Sequence, residues 1–220
     1  MKKLYWAIFL LAPTLTQASL KGFLAGGQAG MTAFRGSHTF NASGSSTKKD
    51  VNRLGFAYGA QAGYIHDLGN RNFVGAEGYF LFANPSATQV LQIDNGTAQG
   101  KATLNHTRAY GLKAFYGMMI NQKIAVYAHA GMEFQTYEMK YSNLTYGSKP
   151  SEDFKVKTRA FGAGVGAFYI LKENIWLAGE YTYMRGKKIQ PEPTNGAGRS
   201  YMLLPSQHRL MLKVYYKFGG

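Results

Sequence analysis

Glu77, Lys113, Glu133, Glu180, Arg209 and Lys213 stand inside stretches that are otherwise apolar or small. A charge in such a place is tolerated only if it meets an opposite charge, because an unpaired ion in an apolar interior is costly. Acids and bases are matched in this set, so full pairing is available. Counted from the short turns of the chain, Glu77, Lys113, Glu180 and Lys213 fall at similar heights, and Glu133 and Arg209 somewhat higher. Glu77 is placed to meet Lys113, and Glu180 to meet Lys213 or Arg209. Two uses fit this network: a gate with a small ion conductance, or a salt-bridged plug that fills and fixes an interior. A plug that rearranges would pass ions occasionally, so the two uses overlap.

Ser206 and His208 are two apart and share one face of an extended segment. A serine and a histidine so placed could act as nucleophile and base if a carboxylate oriented the histidine. No outward Asp or Glu lies on the adjoining segments, so no catalytic residue is assigned. The plainer alternative is an interfacial histidine and a serine at a loop end. His38 and His106 lie in or beside long joins, His66 at a turn, and His129 faces inward. None has the partner spacing of a metal site, and neither a metal nor a cofactor is expected. Gly162–Gly166 alternates along a strand and is a packing feature, not a nucleotide loop.

These residues are carried on eight stretches of period-two pattern between Gly22 and Phe218. Long polar joins (Arg35–Asn52, Pro85–Asn105, Met139–Val156 and Arg185–Leu204) alternate with short turns at Asp67–Asn70, Asn121–Lys123 and Lys172–Asn174. In the second stretch Leu54, Phe56, Tyr58, Ala60, Ala62 and Tyr64 take one face, and Gly55, Ala57, Gly59, Gln61 and Gly63 the other. The fifth, sixth and eighth stretches repeat the pattern. The seventh is read with Leu177, Gly179 and Tyr181 outward, since the reverse turns Glu180 to lipid at a cost of up to about 2–4 kcal/mol. The first stretch spans roughly 22–34, the third 72–84, the fourth 106–119 and the seventh 175–184. About ten residues suffice to cross a bilayer as a tilted strand. Long joins at one end and tight turns at the other give an all-β, eight-stranded, antiparallel up-and-down transmembrane β-barrel. An eight-stranded lumen is about filled by side chains and is not an open channel. An even strand number puts both termini on the periplasmic side.

Lys2 and Lys3, the apolar run Leu4–Leu11 and Thr16-Gln17-Ala18 form a cleavable signal peptide over residues 1–18. The barrel domain takes 19–220. Absence of Cys, with 16 Tyr, 14 Phe and 27 Gly, suits a barrel with aromatic belts and a crowded inner face. The formal charge is +14, two of it from Lys2 and Lys3. Export and barrel patterning argue against nucleic acid. Anionic lipopolysaccharide, sulfated glycans or acidic host proteins are the expected counterparts.

With its signal peptide, its alternating strands and the closing Lys213-Val214-Tyr215-Tyr216-Lys217-Phe218, the chain resembles the small eight-stranded outer-membrane barrels of the OmpA-transmembrane, OmpX and Opa-like superfamily. The resemblance covers the whole mature chain. It implies the cell outer membrane of a Gram-negative bacterium. It also implies an assembly signal at Phe218, read by the barrel assembly machinery, although Gly219 and Gly220 follow it here. Barrels of this kind serve as adhesins, anchors or lipid-modifying enzymes, so the resemblance does not choose a function. The long joins carry the expected work. Lys48, Lys49, Lys187 and Lys188, near loop middles, are candidate contacts for host glycans or receptors. Arg35, Arg53, Arg108 and Arg185, nearer the strands, are expected to pair with lipopolysaccharide phosphates. An adhesin-like surface antigen, a structural membrane protein and a narrow, porin-like pore follow in that order, with lipid A modification last.

Overall fold

The computed structural model describes residues 20–42, 45–83, 86–93, 98–143, 152–187 and 200–219; the signal peptide expected over residues 1–18 lies outside the described residues. The chain forms one antiparallel sheet of β1 (Gly22–Ala42), β2 (Ser45–Gly69), β3 (Asn72–Ala83), β4 (Ser86–Ile93), β5 (Ala98–Met119), β6 (Ile124–Asn143), β7 (Glu152–Lys172), β8 (Ile175–Gly186) and β9 (Ser200–Phe218). Except for β3 and β4, each strand pairs with its chain neighbour, and β1 pairs with β9 from Phe23↔Phe218 to Asn41↔Ser200, closing the sheet on itself. β3 and β4 are two lengths of one stave. β3 pairs with β5 from Asn72↔Met118 to Phe82↔Arg108, and β4 from Ser86↔Asn105 to Ile93↔Ala98. Between them stands Pro85, whose missing N–H cannot serve a ladder. The wall is therefore an eight-stave closed barrel, and no strand in its lower half has a free edge.

Tight turns close the lower end. Asn70 (φ 51) and Arg71 (φ 67) are both left-handed, as a two-residue hairpin turn matching strand twist requires. Asp67 supports this turn by accepting from Gly69 N at 2.8 Å. At the next turn Asn121 Oδ1 accepts from Lys123 N and Ile124 N, each at 2.9 Å. Side-chain facing follows the period of two. β8 alternates without a break from Trp176 to Gly186, with Leu177, Gly179 and Tyr181 outward and Glu180 inward. The outer face carries an apolar belt in which Leu212 is 73% exposed and Leu112 68%. Such surface is stable only against lipid.

Strand length corrects the sequence reading. The joins taken as loops are largely wall: β1 runs past Phe34 to Ala42 along Ser45–Arg53 of β2, and β5 begins at Ala98, not His106. Gly36-Ser37-His38-Thr39 carries no apolar alternation and so resembles loop sequence, while the hydrogen-bond ladder continues through it. Lys48 and Lys49, placed near a loop middle by sequence, pair in β2 with Thr39 and His38.

Inward, the lower lumen is an aromatic base. Phe168 is its hub, with Tyr127 stacked at 4.6 Å and Trp176, Tyr215, Phe115 and Phe73 at 5.6–6.2 Å between centroids. Inward glycines make room for these rings. A Cβ on Gly166 would lie 2.4 Å from the Tyr127 ring, and one on Gly75 2.2 Å from that of Phe115.

Candidate functional site: the layered lumen and the outer rim

Above the aromatic base, β3, β5, β8 and β9 each aim one charge at the barrel axis. Lys213 Nζ lies 3.0 Å from Glu77 and 3.1 Å from Glu180; Lys113 Nζ lies 3.2 Å from Glu77 and also pairs with Glu180. Each acid thus meets both bases. The predicted contact between Glu77 and Lys113 is present, but it is one side of a closed quartet rather than an isolated pair. Tyr215 Oη donates to Glu77 at 2.5 Å and Tyr127 Oη to Glu180 at 2.9 Å, so the aromatic base also caps the carboxylates. His129 Nε2 lies 3.8 Å from Glu180.

Higher up, Arg209 and Glu133 meet side by side. Nη1 donates to Oε2 at 2.6 Å and Nη2 to Oε1 at 3.0 Å. Arg209 therefore takes Glu133, and not Glu180, the alternative left open by sequence. Its choice follows from height: Arg209 pairs across the wall with Thr182, two residues above Glu180. Tyr79 Oη and Gln135 Nε2 donate to the remaining positions of Glu133 at 2.9 and 2.7 Å. Gln207, donating to Tyr137 at 2.8 Å, ties Arg209 to the top of the lumen. There His106, expected beside a loop, is buried and stacked on Tyr137 at 4.9 Å. Both charge layers are neutral as a whole. Between them lies a small cavity lined by Gln28, His129, Thr182 and Met211 among others. Gln28 Nε2, Thr32 Oγ1 and Gln61 Oε1 have no partner within the protein.

The hydroxyls and amides of this network (Tyr79, Tyr127, Gln135, Tyr137, Gln207 and Tyr215) were not singled out from sequence as site residues. Their signal was available: each has a polar tip at a lumen-facing position, where an apolar side chain would have served for filling alone.

At the outer rim, Arg35, Arg108, Arg185 and Lys187 are exposed just above the apolar belt. Arg53 differs, because it pairs with the inward-facing Phe34 and so stands over the lumen mouth. Lys188 lies outside the described residues. Ser206 and His208 are engaged separately: Ser206 Oγ donates to the Arg35 carbonyl at 3.3 Å, while His208 Nδ1 lies 2.7 Å from Tyr181 Oη. Phe218 is half exposed at the lower belt edge, paired with Phe23 of β1. Among the described residues, no three His, Asp or Glu side chains converge as a metal site would require.

The chain is similar to several known proteins. The 31 kDa outer-membrane immunogenic protein of Brucella melitensis is 28% identical over 171 residues, covering 77% of this chain and 69% of that one; its Brucella suis counterpart matches equally. Among solved structures, the outer membrane protease OmpT of Escherichia coli aligns at 9% identity over 93% of this chain and 99% of its own, with a TM-score of 0.53. Ail of Yersinia pestis aligns at 15% identity over 90% and 99%, with a TM-score of 0.40. At such identities a likeness concerns the fold alone. A family model described as the outer membrane protein beta-barrel domain matches residues 5–218, so this closed barrel with its lipid-facing belt belongs to that family and resides in the outer membrane.

Proposed function

We propose that this protein is a plugged outer-membrane scaffold that raises basic β-hairpins above the membrane, where they engage anionic molecules of the cell exterior in an adhesin-like role. The observation that carries this reading is the height of the wall. β1 continues for Arg35–Ala42 beyond the buried Phe34, about 26 Å along the strand. β2, β4, β5, β6 and β7 likewise extend above the belt. Paired strands hold Lys48 and Lys49 on a defined backbone, which lowers the ordering cost of binding. The Brucella relative's description as an immunogenic protein agrees with a surface role.

Replacing Ser37–Asp50 by a two-residue turn between Gly36 and Val51, which are cross-strand partners, removes the first hairpin at a register-compatible place. The shortened protein is expected to keep its boiling-dependent gel mobility and lose most binding to heparin-coated surfaces. Retained binding would overturn the hairpin reading.

The cavity between the charge layers, lined by the unpartnered Gln28 Nε2, favours one second reading: a minor water or ion path through the plug. In planar bilayers the wild type is expected to be almost silent, and Glu77→Ala or Lys113→Ala to open measurable conductance. Steady wild-type current would instead make the pore primary. Lipid A modification has no support from Ser206 and His208, whose hydrogen bonds lead elsewhere. Mass spectrometry of lipid A with and without the gene tests it directly.

A further inference from the structure

We propose that the outer wall across β5, β6 and β7 is a binding site for a phosphorylated lipid head group of the outer leaflet. The register lays two rows of outward side chains across this wall. Arg108 pairs with Thr136 and Thr136 with Lys157; one row lower, Tyr110 pairs with Phe134 and Phe134 with Arg159. Lys187 extends the lower row, its N–H donating to the Arg159 carbonyl at 2.9 Å. A groove runs between these side chains. Its upper wall is cationic and its floor aromatic: the Tyr110 and Phe134 rings stack at 5.2 Å and 17°, and the Arg159 guanidinium lies 5.4 Å from the Phe134 centroid.

Charge is unbalanced there. Lys155, Lys157 and Arg159 project from the same face of one strand, about 6.6 Å apart in succession. Glu138, 3.5 Å from Lys155, is the carboxylate described in contact with this stripe. Like charges in a row repel unless an anion is shared between them. Across the barrel, the same level of β2 and β3 presents Leu54, Phe56, Phe80 and Phe82, so the basic stripe belongs to one side of the wall. Outward cations are thus concentrated where the belt ends, not spread evenly around the rim.

The occupant follows from position and chemistry. The stripe faces sideways from the barrel, where lipid abuts it, and not upward toward soluble partners. Guanidinium forks match phosphate oxygens in pairs, and lysines add point charge. The aromatic floor leads down to Leu112 and Phe161 of the belt, a path for an acyl chain below the head group. A free anion would have no use for that floor. This site is independent of the hairpin reading, since it lies below the hairpins and faces another direction.

The test uses the full mature chain in zwitterionic nanodiscs, with bis-phosphorylated lipid A as the probe and native mass spectrometry as the readout. Lys157→Gln/Arg159→Gln is expected to weaken retention roughly tenfold or more, and Lys172→Gln, exposed at the short-turn end of β7, to change it less than about twofold. Millimolar inorganic phosphate is expected not to displace the lipid. A photo-crosslinking side chain at Thr136 is expected to capture lipid A, while one at Ala60 is not. Equal retention by the double variant, equal loss in Lys172→Gln, equal capture at Ala60, or displacement by free phosphate would each overturn the proposal.

Discussion

Glu133→Gln isolates the strongest single interaction in the lumen. Glu133 is fully buried and Arg209 is 4% exposed, and the two are joined by paired hydrogen bonds of 2.6 and 3.0 Å. The substitution keeps the shape but removes the charge, leaving the guanidinium without a counter-ion and setting an amide NH2 where an acceptor stood. Tyr79 and Gln135, which both donate to this carboxylate, lose acceptor capacity with it. Breaking one side of a buried ion pair costs about 3–5 kcal/mol. Arg209→Met alone should cost a similar amount, by leaving Glu133 unpaired. The double variant removes both charges, and is expected to cost well below the sum, giving a coupling of about 3 kcal/mol. Urea unfolding in lipid vesicles, followed by boiling-dependent gel mobility and tryptophan fluorescence, measures all three. Trp176 is the only tryptophan besides Trp6 and lies in the aromatic base, so it reports unfolding of the barrel without touching the altered pair. A Glu133→Gln protein within about 1 kcal/mol of wild type, or strict additivity in the double variant, would refute this account of the lumen.

Other perturbations separate the faces and ends of the wall. Gly166→Val should block the Tyr127 ring and break its hydrogen bond to Glu180, so refolding yield into vesicles is expected to fall sharply; full yield would show that the ring can move aside. Leu212→Arg, at the most exposed position of the belt, should destabilise the vesicle-embedded protein by about 2–4 kcal/mol in a urea titration. The same change at Arg35's neighbour Asn52, on the exposed rim, is expected to cost under about 1 kcal/mol. Phe218→Ala should lower the fraction of heat-modifiable protein in cell envelopes while leaving refolding in detergent intact, and loss in both would make Phe218 a packing residue rather than an assembly signal.

How much of this was legible in the sequence depends on what each residue has as a neighbour. Facing was legible on the second, fifth, sixth and eighth stretches, because lipid on one side and a crowded lumen on the other impose a period of two; on the seventh, where the pattern alone was ambiguous, Glu180 was turned inward on cost. That Glu77, Lys113, Glu180 and Lys213 share a level could be counted from the turns, since strands rise by a fixed step. Which base meets which acid was only half legible. Adjacent-strand logic finds Glu77 with Lys113, but the contacts of Lys213 with Glu77 and of Arg209 with Glu133 cross the lumen. Partners on opposite sides of a barrel depend on its diameter and shear, which no local pattern encodes.

Wall height was the part the sequence concealed, and the reason also bears on function. Within the belt, two environments enforce alternation, and a strand declares itself. Above it the apolar belt no longer enforces alternation, while the backbone ladder still pairs the strands. Ser45-Ser46-Thr47-Lys48-Lys49 therefore reads as loop though it is paired strand. The same relaxation leaves that region free to carry charge and polarity chosen for partners instead of for folding. Below, side chains are almost fully committed: aromatic rings over glycines, a neutral quartet, a neutral pair. A barrel whose interior is filled with paired charges and rings leaves its remaining polar and charged chemistry to the wall above the belt. That division favours the raised hairpins over the lumen as the working part of the molecule.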